Sequence, residues 1–112
     1  MLQVESTLKW ARLTAMERSA NVGICVQGRE LLVTNMGTSR NILDACSSAL
    51  LKRLAVDEGF ISLTSVGSTG FDPRGLAIVS TSIYIRRTDD PETCQRYTIQ
   101  ALRGLIRREA CQ

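Results

Sequence analysis

Arg96, Gln100, Arg103 and Arg107 recur at helical spacing near the end of the chain, and Arg86 and Arg87 stand just before them. Guanidinium groups on one helix face present forked donors that suit phosphate oxygens. The array is a candidate grip for nucleic acid. The plainer reading is the solvated side of an amphipathic helix, where Glu92 would pair with Arg96. A second candidate is a row of hydroxyls, Ser62, Thr64, Ser80 and Ser82, at alternating positions of two strand-like runs. Ser and Thr on a sheet can meet sugar hydroxyls and phosphates, as in shape-based recognition of duplex RNA. They are equally the ordinary wet side of an antiparallel sheet. Flat aromatics are too few to stack single-stranded bases well.

The stretch VGSTGFDPRG, residues 66–75, has the glycine spacing of a phosphate loop at Gly70 and Gly75. Leu76 and Ala77 then occupy the places where that motif needs Lys and Ser or Thr, and a strand former follows instead of a helix. Residues 71–75 therefore read as a hairpin turn, with Pro73 setting one backbone angle and Gly75 supplying a positive one. What remains for function there is Arg74 at the tip. Asp89, Asp90 and Glu92 cluster, but their placement suits the start of a helix. Asp57 and Glu58 sit at the end of another. No catalytic residue, metal ligand or cofactor is assigned.

The chain contains no histidine. That excludes Ser-His and Cys-His nucleophile pairs and most zinc sites. Cys25, Cys46, Cys94 and Cys111 form no C-x-x-C pair. With no leader-like opening and no long apolar run, a cytoplasmic protein with reduced cysteines and no membrane contact is expected. Cys25, Cys46 and Cys94 are expected in the core and Cys111 near a frayed end. The formal charge of +3 is only mildly basic, although the basic residues are mostly Arg.

Length and a hydrophobic fraction of 44% indicate one domain over residues 1–112. Residues 5–20 read as a helix with Trp10, Leu13, Met16 and Ala20 on one face, ended at Asn21. Leu8, Ala11 and Ala15 widen its apolar arc. Residues 22–35 read as a hairpin about Gly28-Arg29, pairing Val26 with Leu31 and Ile24 with Val33. Residues 37–59 read as a helix burying Leu43, Cys46, Ala49, Leu50 and Leu54 and ending at Gly59. Residues 60–70 and 76–87 read as a second hairpin with Ile61 opposite Ile85. Residues 88–112 read as a final helix capped by Asp90 and Pro91, with Ile99, Leu102, Leu105 and Ile106 inward.

The expected fold is α+β, with two layers and the order α-β-β-α-β-β-α. The helices pack on a mostly antiparallel sheet of about four to five strands from two hairpins. This order, with the small-residue, Leu-rich middle segment ILDACSSALLKRL, resembles the roadblock or profilin-like architecture. The resemblance implies dimerising scaffolds and partners of small GTPases. It rests on element order alone and assigns no family. The expected function is a small non-enzymatic regulatory or adaptor module that self-associates and binds a protein partner. Its homodimer interface would centre on Trp10, Leu13 and Met16. The alternative is a nucleic-acid-binding regulator using the arginine array and the hydroxyl row.

Overall fold

The computed structural model describes residues 2–27, 30–55, 61–65, 68–87, 94–99 and 106–110. The helix α1 spans Leu2–Arg18. Val4, Thr7, Leu8, Ala11, Thr14 and Ala15 are its buried residues, and their spacing of three and four draws one stripe along it. Trp10, Leu13 and Met16 lie on the other side. The docked face is thus the one that the sequence made an extension of the arc. The helix ends at Ser19, which takes a positive φ, and Ala20 N–H donates to Ala15 O at 3.2 Å. The left-handed stop is Ser19 and not Asn21. Asn21 instead opens the first strand and donates from Nδ2 to Gly37 O at 3.1 Å.

The strands are β1 Asn21–Gln27, β2 Glu30–Gly37, β3 Ala49–Ala55, β4 Ile61–Ser65, β5 Thr69–Phe71, β6 Thr81–Arg87, β7 Cys94–Ile99 and β8 Ile106–Ala110. They form two antiparallel sheets, ordered β3-β2-β1-β5 and β4-β6-β7-β8. The first hairpin has the register its alternation predicts, with Val26 opposite Leu31 and Ile24 opposite Val33. Val22, Ile24, Leu31 and Val33 join Leu8, Ala11, Ala15 and Phe71 in a core that also takes Ile83, Ile85, Tyr97 and Ile99 from the second sheet. The helix α1 contacts β1, β3 and β5 of one sheet and β8 of the other. The class is α+β, an N-terminal helix on antiparallel sheet.

The three-helix order is corrected. The run 37–59 holds the end of β2, a single 3-10 turn at Ile42–Asp44 and then β3. Leu and Ala favour a helix locally by only tenths of a kcal/mol per residue. Pairing of β3 with β2, Leu54 opposite Leu31 and Leu50 opposite Thr34, overrides that preference. Leu43, Cys46, Ala49 and Leu50 are exposed and Leu54 is half-buried, so the expected inward stripe does not form. The segment around Ala45 lies instead on the face of β1 and β2 that turns away from α1. Thr34 Oγ1 donates to Ala45 O at 2.6 Å, and a Cβ on Gly23 would stand 2.9 Å from Ala45 Cα. Glycine is what lets the segment sit so close. A disulfide between Cys25 and Cys46 ties it down.

The final helix is likewise replaced by β7 and β8, paired from Ile99 opposite Ile106 to Gln95 opposite Ala110. Tyr97 and Ile99 are buried with a period of two. The expected residue Ile106 is half-buried in β8, while Leu102, Gly104 and Leu105 lie outside the described residues. So do the turn Gly28-Arg29, the acidic pair Asp57 and Glu58 with Gly59, and the proposed caps Asp89, Asp90, Pro91 and Glu92. In the second hairpin Leu63 stands opposite Ile85 and Ile61 opposite Arg87, two residues from the expected register. A shift of two leaves the faces of the strands unchanged. Residues 69–71 leave that pairing and add β5 to the other sheet beside β1.

Candidate functional site

The turn after β5 closes as its residue types require. Asp72 N–H donates to Leu76 O, Gly75 N–H to Asp72 O, and Ile78 N–H to Gly70 O, each at 2.8 Å. Phe71 bridges to Ala77 across the turn. These N–H groups serve the turn, so it is not a phosphate cradle. Gly75 has φ +81°, and a Cβ there would meet Met16 Sδ at 2.7 Å and Arg12 Nε at 3.2 Å. Gly75→Ala should therefore cost about 1–2 kcal/mol, from left-handed strain plus the contact with α1. Urea unfolding checks it, and an unchanged midpoint would refute the strain.

Asp72 is the organising group. Its side chain is only 2% exposed. Oδ1 accepts from Arg74 N–H at 2.9 Å and from Leu76 N–H at 3.0 Å. Oδ2 accepts from Arg74 Nη2 at 2.9 Å and from Arg40 Nη1 at 3.4 Å. Burial pushes this carboxyl up, but the hydrogen bonds from Leu76, Arg74 and Arg40 outweigh it and hold the group below its ordinary value. A depressed carboxyl stabilises the fold above the unfolded-state pKa, about 3.9 for aspartate, and that contribution is lost as pH falls through the folded value. As pH falls below about 4, the stability of wild type should therefore fall more steeply than that of Asp72→Asn. Parallel pH profiles of the two proteins would show that Asp72 contributes nothing to the acid limb.

On the outer side of α1, Trp10 is 37% exposed, Leu13 52% and Met16 42%. Lys52 Nζ of β3 stands 5.1 Å from the Trp10 ring centroid. Few small domains leave large apolar side chains in a row on a helix without a use for them.

The residues singled out for nucleic acid fall on strands. Arg96 of β7 faces Tyr84 of β6 and Glu109 of β8 in the register, and Arg107 faces Thr98. Arg96 Nη2 donates to Glu109 Oε2, and Arg107 Nε lies 3.6 Å from Glu109 Oε1. The hydrogen bond to Glu109 raises the Arg96 pKa and lowers that of the carboxyl. A carboxylate thus divides the array. Arg86 is exposed opposite Cys94, and Arg87 pairs with Ile61 in the ladder. Gln100 and Arg103 lie outside the described residues. Ser82 stands opposite Thr98, Ser62 opposite Arg86 and Thr64 opposite Tyr84, while Ser80 is exposed just ahead of β6. Hydroxyl and arginine positions therefore meet in one ladder, which two separate elements could not have suggested. Among the described residues no group of His, Cys, Asp and Glu could hold a metal ion.

The sequence profile of the family described as type II transport protein GspH matches residues 2–102. The chain belongs to the GspH family. Its fold is similar to that of the type IV minor pilin FimU of Pseudomonas aeruginosa PAO1, in two crystal forms. The TM-scores are 0.71 and 0.68 at 17% identity, covering 96% of this chain and 83% and 87% of FimU. Comparison with curated proteins finds no match.

GspH membership overturns the expected cytosolic regulatory module and the nucleic-acid alternative, and with them the roadblock-like resemblance. The same membership overturns the expected partners, namely a homodimer, a soluble protein or nucleic acid away from any membrane. Cytoplasmic placement falls for a second, physical reason. Cys25 is bonded to Cys46, and Cys94 is disulfide-bonded as well. Such bonds persist in oxidising compartments and not in a reducing cytosol. Cys25 is buried as expected but Cys46 is exposed, and Cys111 lies outside the described residues. No described helix is long and apolar enough to cross a membrane. The sequence reading missed the convergence of Arg40 and Arg74 on Asp72, for which Arg74 at the turn tip was the one available sign.

Proposed function

We propose that this GspH-family chain is a minor-pilin-like, non-enzymatic subunit of an envelope transport assembly. It packs on other pilin-like subunits through the outer side of α1. The observation that carries the reading is a helix apolar on two sides. The stripe from Val4 to Ala15 is consumed by the sheets, while Trp10, Leu13 and Met16 remain outside. Burying them against a neighbour would remove apolar surface that the described residues leave uncovered. The family profile and the disulfides support the same placement.

The test is a photo-crosslinking amino acid at Leu13, introduced in the source cell with its transport components present. Irradiation should give an adduct that mass spectrometry identifies as a second pilin-like protein. Absence of any such adduct, with the protein folded and abundant, would refute the reading.

A further inference from the structure

A buried carboxylate holds two exposed guanidinium groups side by side. Asp72 Oδ2 accepts from Arg74 at 2.9 Å and from Arg40 at 3.4 Å, yet the arginine side chains are 72% and 55% exposed. Oδ1 is occupied by two backbone N–H groups, so Asp72 has no lone pair aimed outward that a ligand could use. Each guanidinium carries several N–H donors. Only one side-chain donor of each is seen on Asp72, which leaves the remaining forks toward solvent. Arg12 of α1 adds a third cation at the same turn, its Nε donating to Gly75 O at 2.8 Å, a neutral acceptor. The one carboxylate is shared by Arg40 and Arg74, while Arg12 meets only a neutral carbonyl, so three cations converge on a turn that holds one carboxylate. The dry carboxylate and the closed turn restrain Arg74 at 2.9 Å and, more weakly, Arg40 at 3.4 Å, so a ligand pays less for ordering them.

We propose that Arg40 and Arg74, aligned by Asp72, form a receptor for a carboxylate side chain on a neighbouring pilin-like subunit. The chemistry is a charge-assisted pair of the Arg–carboxylate type, which guanidinium forks favour by geometry. A protein carboxylate is the occupant because the site adjoins the apolar side of α1. Met16 packs on Gly75 of the turn, and Leu13 is one helical turn before it. An apolar contact beside a charged one is how a subunit interface sets both affinity and register. The inference rests on the assembly reading above and adds the partner chemistry to it.

The experiment uses the full chain in the source cell with the Leu13 photo-crosslinker, together with Arg74→Lys and zero-length carbodiimide coupling. The introduced amine should couple to an acidic residue of the same neighbour that Leu13 captures. Arg40→Glu combined with Arg74→Glu should lower the Leu13 adduct by roughly tenfold; carboxylates beside Asp72 also cost stability, so the adduct is scored at a temperature where circular dichroism shows the variant folded. Arg40→Lys should retain most of it. Coupling of the amine to Asp72 alone, with the Leu13 adduct unaffected by the double reversal, would overturn the receptor while leaving the assembly reading intact. Loss of the Leu13 adduct in the otherwise unaltered chain would overturn both. Binding of the purified protein to phosphatidylglycerol vesicles, abolished by the double reversal and without any carboxylate adduct, would overturn it in favour of a lipid phosphate.

Discussion

Replacing both Cys25 and Cys46 by Ala should lower the unfolding free energy by about 3 kcal/mol, the entropic value for a loop of this length. The two cysteines are separated by 21 residues, so the bond restricts a sizeable part of the unfolded chain. The native state depends on it locally too. The bond holds the segment that carries Ala45 over Gly23 and Thr34, covering the sheet face that α1 leaves bare. The double variant should become sensitive to proteolysis between residues 38 and 48 before it unfolds globally. Urea titration of the oxidised wild type and the variant measures the stability term. The variant is preferable to chemical reduction, because Cys94 is also disulfide-bonded. Equal midpoints and equal proteolysis would show that Thr34 and the turn at Ile42–Asp44 hold the segment unaided.

Phe71→Ala should cost more still, about 3–5 kcal/mol, the range for deleting a fully buried aromatic. Phe71 is completely buried, stands opposite Val22 in the ladder and bridges to Ala77. It also immediately precedes Asp72, so the cavity left behind lies directly under the turn that presents Arg74. Phe71→Leu keeps more of the volume and should cost less. The functional consequence separates the two kinds of damage. Phe71→Ala should weaken both folding and any contact made through Arg40 and Arg74, whereas Arg40→Lys should spare the fold and retain most of the contact. Thermal unfolding followed by circular dichroism gives the stability term. A loss below about 1 kcal/mol would mean that the surrounding side chains collapse into the space.

Three features follow from the sequence by itself, and each is local. The hairpin of β1 and β2 is set by alternation on both sides of a short loop, and a slip of one residue would turn Ile24 and Val33 outward. The turn at residues 71–75 is set by Asp, Pro and Gly, whose backbone preferences need no distant partner. The first helix follows from helix formers uninterrupted by Gly or Pro. Family membership was not legible in this way; the family match extends over residues 2–102.

Tertiary structure decided the rest. Residues 49–55 and 94–99 have patterns that either a helix or a strand can use, and pairing with β2 and β6 chose the strand. With that choice the arginines lost their helical stripe, and Glu109 came between Arg96 and Arg107. Cysteine spacing could not reveal that Cys25 meets Cys46, since the contact depends on a loop folding back over a sheet. The helix α1 shows the same limit most simply. Apolar residues lie on two of its sides, and periodicity describes both sides equally. Only the sheets, by closing on Leu8, Ala11 and Ala15, determined which side became core and left Trp10, Leu13 and Met16 outside. Hydrophobic periodicity is a property of one segment, whereas burial is a relation between segments.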